Sequence, residues 1–214
     1  ENLFDIQAEI ARAIAQALKA TLSPEEEASI VRALTNNLEA WQAYQRALRM
    51  RRNQDTASMK MGLTEVDRAL ELDPGFAAAW SLKATFLLMQ YWFYDTDPTI
   101  RDAAWDAIEN GRKIDPTLPD LDIAEGYYHY WGFRDYARAL TFMQRASSAL
   151  PNSARAHLAR AYVLRRMGDW ENALAAMRRA AELDPRTIGT VADIGATLSR
   201  LRRFEEATKV FNTA

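Results

Sequence analysis

The fold is decided by ARAHLARAYVLRRMGDWENALAAMRRAAELDP, the residues Ala154–Pro185. Small and aromatic residues in this stretch have the spacing of two helices that pack together in a unit of about 34 residues. Ala161 lies where the two backbones cross closely, and Gly168 relaxes the tight turn between the helices. Trp170 begins the second helix, and Pro185 ends it because proline cannot continue a helix. The small residues that pack back on the first helix are Ala173 and Ala180. The stretch therefore predicts one antiparallel pair of α-helices.

The same period recurs along the chain. Its markers are Pro74, Pro116, Pro151 and Pro185, at intervals of 42, 35 and 34 residues, and all but Pro151 follow an aspartate. A two-helix unit of about 34 residues that recurs in this way resembles the tetratricopeptide repeat. The resemblance predicts an all-α, right-handed superhelical solenoid of about twelve helices with no strand. Helix breaks are expected near Ser23, Asn36, Pro74, Pro116, Pro151 and Pro185.

The expected array covers residues 37–214, with four full repeats and one incomplete repeat. The second repeat carries about eight extra residues at 91–98. The third has Gly126 at the helix crossing and a turn, 131–135, that is one residue longer than usual. The fifth begins at Ile188 and breaks off inside its second helix. The repeats are thus predicted to differ mainly in the connection between their two helices.

Residues 1–36 are expected to form a helical extension that packs on the array. An apolar stripe recurs there every four positions, at Ile6, Ile10, Ile14 and Leu18. Such a stripe marks one face of an amphipathic helix, and without a partner it would expose four large aliphatic side chains. The sequence Ser23-Pro24-Glu25-Glu26 then begins another helix, with serine as the N-cap, proline at the first position and glutamate bonding back.

Composition argues against several functions. With 27 basic and 29 acidic residues the net charge is −2, which gives no reason to expect a nucleic acid or a membrane surface as partner. No apolar run approaches the ~20 residues of a membrane helix, so no direct membrane insertion is expected. The chain has no cysteine, and His129 and His157 lie in different repeats without the spacing of metal ligands. We therefore predict a non-enzymatic chain with no catalytic residue, metal or cofactor.

Aromatic residues and arginines indicate a binding site. Of the 6 Trp, 8 Tyr and 8 Phe, half lie between Tyr91 and Tyr136. The segment 134–203 carries 13 basic and 6 acidic residues, and guanidinium groups hold carboxylates by paired N–H bonds. The predicted site lies on the concave groove between the third and fourth repeats and comprises Tyr127, Tyr130, Trp131, Arg155, Leu158, Tyr162, Arg165 and Arg166.

The expected partner is a protein or peptide segment, acidic and with an apolar anchor, because aromatic residues and arginine concentrate binding energy. Two alternatives stay open for these residues. The arginines are also compatible with a solvated surface, and residues 91–98 could fold over the aromatic residues and bury them.

A further resemblance rests on Leu3–Ala11 and Ala40–Arg46, with support from Phe76–Trp80, Leu118–Asp120 and Asp135-Tyr136. These segments are similar to the C-terminal repeat region of bacterial multidomain regulators, either class III adenylate or guanylate cyclases or winged-helix transcriptional regulators. The resemblance implies a protein-binding scaffold within a larger bacterial signalling protein, whose effector domain lies outside this chain.

The alternatives are a ligand-sensing domain that controls an attached cyclase or DNA-binding domain, and a self-association module. The chain starts at Glu1 without an initiator methionine and stops at Ala214 inside a repeat, so we expect a fragment. Cytoplasmic and periplasmic locations both stay open, as does the oligomeric state.

Overall fold

The computed structural model describes residues 9–10, 13–14, 16–17, 22–24, 26–27, 34–51, 53 and 55–212. Within these residues the chain forms ten α-helices and one π-helical turn, and no strand. The helices are α1 (Leu38–Met50), α2 (Thr56–Leu72), α3 (Ala77–Phe93), α4 (Pro98–Ile114), α5 (Pro119–Tyr127), α6 (Tyr136–Ala149), α7 (Ala154–Arg166), α8 (Trp170–Leu183), α9 (Ile188–Arg200) and α10 (Phe204–Asn212). The π-helical turn, Tyr128–Gly132, follows α5. The predicted all-α solenoid is confirmed, as are the helix breaks near the four prolines, Ser23 and Asn36.

Each repeat is a pair of helices that pack against each other, from α1 with α2 to α9 with α10. The first helices of consecutive repeats also touch, since α3 contacts α5 and α5 contacts α7. Each unit therefore buries its apolar side chains only against its neighbours, as repeat arrays do. The largest of the fully buried side chains include Phe76, Phe86, Leu88, Ile108, Ile123, Met143 and Leu174.

Gly126 lies at the close helix crossing of the third repeat, as predicted. A Cβ atom at this position would be 2.7 Å from Cε of Met143 on α6. Met143 is fully buried and has little room to move away. The close approach of α5 and α6 therefore requires glycine at position 126.

The extra residues of the second repeat lengthen its helices. The helices α3 and α4 have 17 residues each, compared with 13 in α7 and 14 in α8. Only residues 94–97 connect α3 to α4. Asp97 begins α4 because its carboxylate accepts a hydrogen bond from Thr99 N (2.9 Å), and Pro98 occupies the first helical position. As a result, Tyr91 and Trp92 are part of a helix and do not belong to a loop folded over the array.

Ser23 and Glu26 form the predicted capping box. Glu26 N donates to Ser23 Oγ (3.1 Å), and Ser23 N donates to Glu26 Oε2 (3.0 Å). The same two residues form hydrogen bonds with the junction between α6 and α7, which lies 126 positions later in the sequence. Ser23 Oγ donates to Ala149 O (2.7 Å), and Asn152 donates to Glu26 through its backbone N (2.8 Å to Oε1) and its side-chain Nδ2 (2.7 Å to Oε2). This segment of the extension therefore contacts the array through a buried carboxylate.

The extension joins the array at a second junction, between α2 and α3. Asn37 caps α1 through Ala40 N (3.0 Å), and its Nδ2 donates to Leu72 O (3.0 Å). Thr35, which is buried, donates to the carboxylate of Asp73. The N-cap of α1 is thus Asn37, one residue after Asn36, near which the sequence predicts a helix break.

The apolar stripe of the extension is described at two of its four positions. Ile10 is 54% exposed and Ile14 is 53% exposed, so the expected burial on the array is not found for these two side chains. Ile6 and Leu18 lie outside the described residues. Packing of the whole extension, residues 1–36, on the array stays a prediction.

Candidate peptide-binding site

The π-helical turn gives the third repeat its one extra residue. In the fourth repeat, the turn after the first helix is closed by a hydrogen bond from Asp169 N to Leu164 O (3.0 Å), five residues back. The equivalent bond in the third repeat runs from Asp135 N to His129 O (3.0 Å), six residues back. The additional residue therefore lies in the wider helical turn Tyr128–Gly132, which overlaps the start of the segment 131–135 where it was expected. Single π-helical turns of this kind are frequent at functional sites.

This turn carries a cluster of stacked aromatic rings. Tyr127 and Trp131 stack with ring centroids 4.0 Å apart and an interplanar angle of 14°. Trp92, from the end of α3, lies 5.5 Å from the ring of Tyr130 and 6.3 Å from that of Trp131. Aromatic pairs at such distances stabilise a cluster by about 0.5–1.5 kcal/mol each beyond the burial of their area.

Two of the predicted anchor residues are buried in this cluster. Tyr127 is 8% exposed and Tyr130 is 3% exposed, whereas Trp131 is half-buried. The sequence pattern suggested exposed rings at all three positions. Trp92 covers Tyr130 because α3 is about one turn longer than the first helix of a regular repeat. Burial by residues 91–98, the alternative considered above, thus occurs through Trp92.

The arginines of the fourth repeat mostly face carboxylates of the chain itself. Arg155, at the start of α7, is paired with Asp120 on α5. Arg165 Nη1 lies 3.2 Å from Asp193 Oδ1 on α9, and Tyr162 donates to the other oxygen of Asp193 (2.8 Å). These arginines join consecutive first helices, so a partner's carboxylate would have to displace an aspartate to bind them.

Arg166 differs from the other two because its contact is with a neutral group. Its Nε donates to Tyr130 Oη (2.8 Å), and its guanidinium carbon lies 6.0 Å from the ring centroid of Trp92. The side chain is exposed. The aromatic half and the basic half of the predicted site therefore meet at the bond between Arg166 and Tyr130. Leu158 contributes apolar contact only, since it packs against the core around Ala161 and Leu174.

Burial changes the acidity of several groups in this region. It raises the pKa of the Tyr127 hydroxyl. The pKa of Tyr162 is also raised, mainly by burial and to a smaller extent by the nearby Asp193 carboxylate. Burial, with a smaller effect of the neighbouring Arg51, lowers the pKa of the Arg155 guanidinium to about 9. At pH 7 both phenols are neutral and Arg155 is still protonated, so Tyr162 can donate to Asp193 and Arg155 can pair with Asp120.

A depression of about 410 Å³ opens beside the aromatic cluster. It lies where the first helices of the second and third repeats end. Its walls are Tyr91, Trp92, Thr96, Trp131, Gly132, Phe133 and Arg134. Phe133 is 52% exposed, and the Arg101 guanidinium lies over its ring at 4.7 Å. The volume falls in the range of about 300–1,000 Å³ that is usual for ligand-binding clefts.

Sequence reasoning found only Trp131 among the residues that line this depression. Trp92, Phe133 and Arg134 were missed as site residues, although the aromatic run 91–94 singled out their neighbourhood. The residues that line the depression come from two different repeats, so no single stretch of sequence shows them together. The π-helical turn that brings the two segments together has no sequence pattern of its own.

The described residues show no cluster of three or more His, Asp or Glu side chains that could hold a metal ion. Among the same residues, none of the helices is both long and apolar enough to cross a membrane.

Comparison with known proteins identifies the repeat directly. Residues 154–187 match the family model of the tetratricopeptide repeat. Over 116 residues, 49% of the chain, the sequence is 30% identical to the BBSome complex member BBS4 homolog of Drosophila melanogaster. The aligned part spans only 24% of that protein, about a quarter of its length.

Solved structures share the fold at low sequence identity. TTC0263, a tetratricopeptide-repeat protein of Thermus thermophilus, has a TM-score of 0.65 at 16% identity, covering 82% of this chain and 89% of its own. PilW, a type IV pilus biogenesis factor, has a TM-score of 0.59 at 17% identity, covering 82% and 76%. MamA from Desulfovibrio magneticus RS-1 has a TM-score of 0.52 at 17% identity, covering 85% and 94%. At these identities the likeness concerns the fold alone. The chain therefore contains a tetratricopeptide-repeat region, with the scaffold fold typical of protein–protein interaction modules.

Proposed function

We propose that the chain is a non-enzymatic scaffold module of a larger bacterial signalling protein, and that it binds a protein or peptide segment along its concave groove. Repeat arrays of this type present extended concave surfaces, and their fold is typical of interaction modules. The observation that carries the proposal is the contact between Arg166 and the aromatic cluster. It places an exposed cation, bonded only to a neutral phenol among the described residues, over the ring of Trp92, which in turn stacks on Trp131.

The arrangement supports an acidic partner with an apolar anchor. Arg166 offers guanidinium N–H groups to a carboxylate, and Trp131 offers a half-buried ring to an apolar side chain. Arg155 and Arg165 contribute less to this proposal, because Asp120 and Asp193 already compensate their charges.

The test is a selection from random short peptides displayed on phage, followed by affinity measurements on the selected sequences. We expect enriched peptides that combine acidic residues with one bulky apolar residue. Their affinity should fall about tenfold for Arg166→Glu, because a charged hydrogen bond contributes about 1.5–3 kcal/mol. Arg138→Glu makes the same charge change at an exposed position on α6 and should leave the affinity unchanged. Failure to enrich any peptide, or equal affinities for Arg166→Glu and the parent chain, would contradict the proposal.

A second candidate function is the sensing of a small ligand, and it is favoured by the depression beside Trp131. Its volume of about 410 Å³ suits a small molecule, and aromatic residues form much of its wall. Native mass spectrometry of the purified chain distinguishes the two functions, since a retained small molecule would support sensing.

A further inference from the structure

The depression between the second and third repeats combines an open aromatic wall with an arginine. Phe133, which lines it, is 52% exposed, and Phe93, whose ring lies 6.1 Å from that of Trp131, is 50% exposed. Its wall has the half-buried ring of Trp131, which is fixed by stacking on Tyr127. An open apolar wall that is already held in place is suited to an inserted side chain, because little conformational freedom is lost on binding.

The charge of the residues that line the depression favours a carboxylate, since Arg134 is the charged one among them. Arg134 lines the wall, and no carboxylate among the described residues forms an ion pair with it. Arg166 lies over the ring of Trp92, a second wall residue. The aspartates that lie close by in the sequence are not among the residues that line the depression. They accept hydrogen bonds within the chain: Asp95 from Asp97 N (3.2 Å), Asp97 from Thr99 N (2.9 Å), Asp135 from Arg138 N (3.1 Å) and Asp102 from Arg101 (2.9 Å).

The turn itself does not need an arginine at position 134. Arg134 has a left-handed backbone, with φ of 56°, and the fourth repeat has Gly168 at the equivalent position, with φ of 82°. The fifth repeat has Arg202 there, with φ of 59°. Because glycine adopts this conformation more readily than arginine, the guanidinium of Arg134 can be removed without harm to the turn.

We propose that this depression is the subsite for the anchor of the partner segment, in which an aromatic residue stands next to an acidic one. The aromatic side chain enters the depression against Trp131 and Phe133, and the neighbouring carboxylate binds Arg134. This inference rests on the proposed function, since it assumes that the array binds a peptide. It adds the position of the anchor and the chemistry that Arg134 recognises.

The experiment uses three fluorescein-labelled peptides and measures their dissociation constants by fluorescence anisotropy. The first contains tryptophan flanked by glutamates, the second contains tryptophan flanked by lysines, and the third contains alanine flanked by glutamates. The parent chain should bind the first peptide about tenfold more tightly than either of the others, because only this peptide supplies both the anchor and the carboxylates.

The decisive variant is Arg134→Gly, and its matched control is Arg202→Gly. Both replace an arginine by glycine at the same left-handed turn position, so both should fold as well as the parent chain. We expect Arg134→Gly to bind the first peptide about tenfold more weakly and to lose the preference for glutamates over lysines. Arg202→Gly should behave like the parent chain.

Two outcomes would overturn the inference and differ in what they say about the proposed function. If phage-selected peptides bind the array but Arg134→Gly binds them and the first probe as tightly as the parent chain, the depression is not the subsite and peptide binding stands. If neither the selected peptides nor the probes bind the parent chain, both the subsite and the proposed function fail.

Discussion

At the scale of single residues, the packing of neighbouring helices depends on glycines at their points of closest contact. Gly62 on α2 faces the ring of Phe86 on α3, and a Cβ atom at position 62 would overlap that ring. Phe86 is fully buried, so its ring has little room to move away. Gly62 therefore determines how closely the first repeat packs on the second.

Gly62→Ala should lower the free energy of unfolding by about 1–3 kcal/mol, because overpacking a close contact outweighs the better helix propensity of alanine. Gly189→Ala is the matched control. A Cβ atom at position 189, on α9, would have no neighbouring atom closer than 4.0 Å, so alanine should stabilise the chain slightly. Urea unfolding measures both changes, and equal effects of the two substitutions would show that the crossing is not tight.

At the scale of elements, Asp122 on α5 links three helices, because Arg112 at the end of α4 and Arg145 on α6 both contact it. Arg112 Nη2 contacts Asp122 and Glu125 on α5, the latter at 3.2 Å. Arg145 on α6 also reaches Asp122, at 3.2 Å. Asp122 is buried, at 6% exposure, so its charge depends on these partners. The exposed fraction of the side chain is 20% for Arg112 and 56% for Arg145.

This difference in burial predicts different costs for removing each arginine. Arg112→Met should lower the free energy of unfolding by about 3–5 kcal/mol, because it leaves two carboxylates without their buried partner. Arg145→Met should cost at most about 1 kcal/mol, since its pair is solvent-screened. The urea midpoints of the two variants give the comparison. A similar shift for both would mean that Asp122 is solvated in spite of its burial.

The helices themselves were predictable from the sequence, whereas the contacts between repeats were not. Prolines and N-cap residues such as Ser23 act within a few positions, so their pattern can be read locally. The pairing of Arg165 with Asp193 could not be predicted, because it depends on how one repeat is rotated on the next. The sequence left the burial of Tyr130 open as one of two alternatives, since it depends on the additional length of α3 and on the π-helical turn.

At the scale of the whole molecule, the extension is fastened to two junctions of the array. Thr35 binds the junction between α2 and α3, and Glu26 binds the junction between α6 and α7. Two repeats lie between these junctions. The extension therefore adds long-range contacts to an architecture in which each repeat otherwise touches only its neighbours.

Glu26→Ala should speed hydrogen exchange of the Asn152 backbone amide about tenfold, because that amide loses a charged acceptor at 2.8 Å. The midpoint of global unfolding should change little, since the helix pairs keep their own cores. Glu27→Ala, in the same helical turn but exposed, serves as the control. Unchanged exchange at Asn152 in the Glu26→Ala variant would mean that the contact does not persist in solution.

The attachment at Glu26 also has a mechanical consequence. A superhelical array behaves like a coil spring, whose pitch lengthens when its ends are pulled apart. Glu26 and Thr35 are bonded to junctions that lie two repeats apart, so pulling these junctions apart loads the hydrogen bonds of both residues. Tension applied at the amino-terminal side would reach the α6–α7 junction first, through the bonds of Glu26 to Asn152, and would load the middle of the array before its first helix.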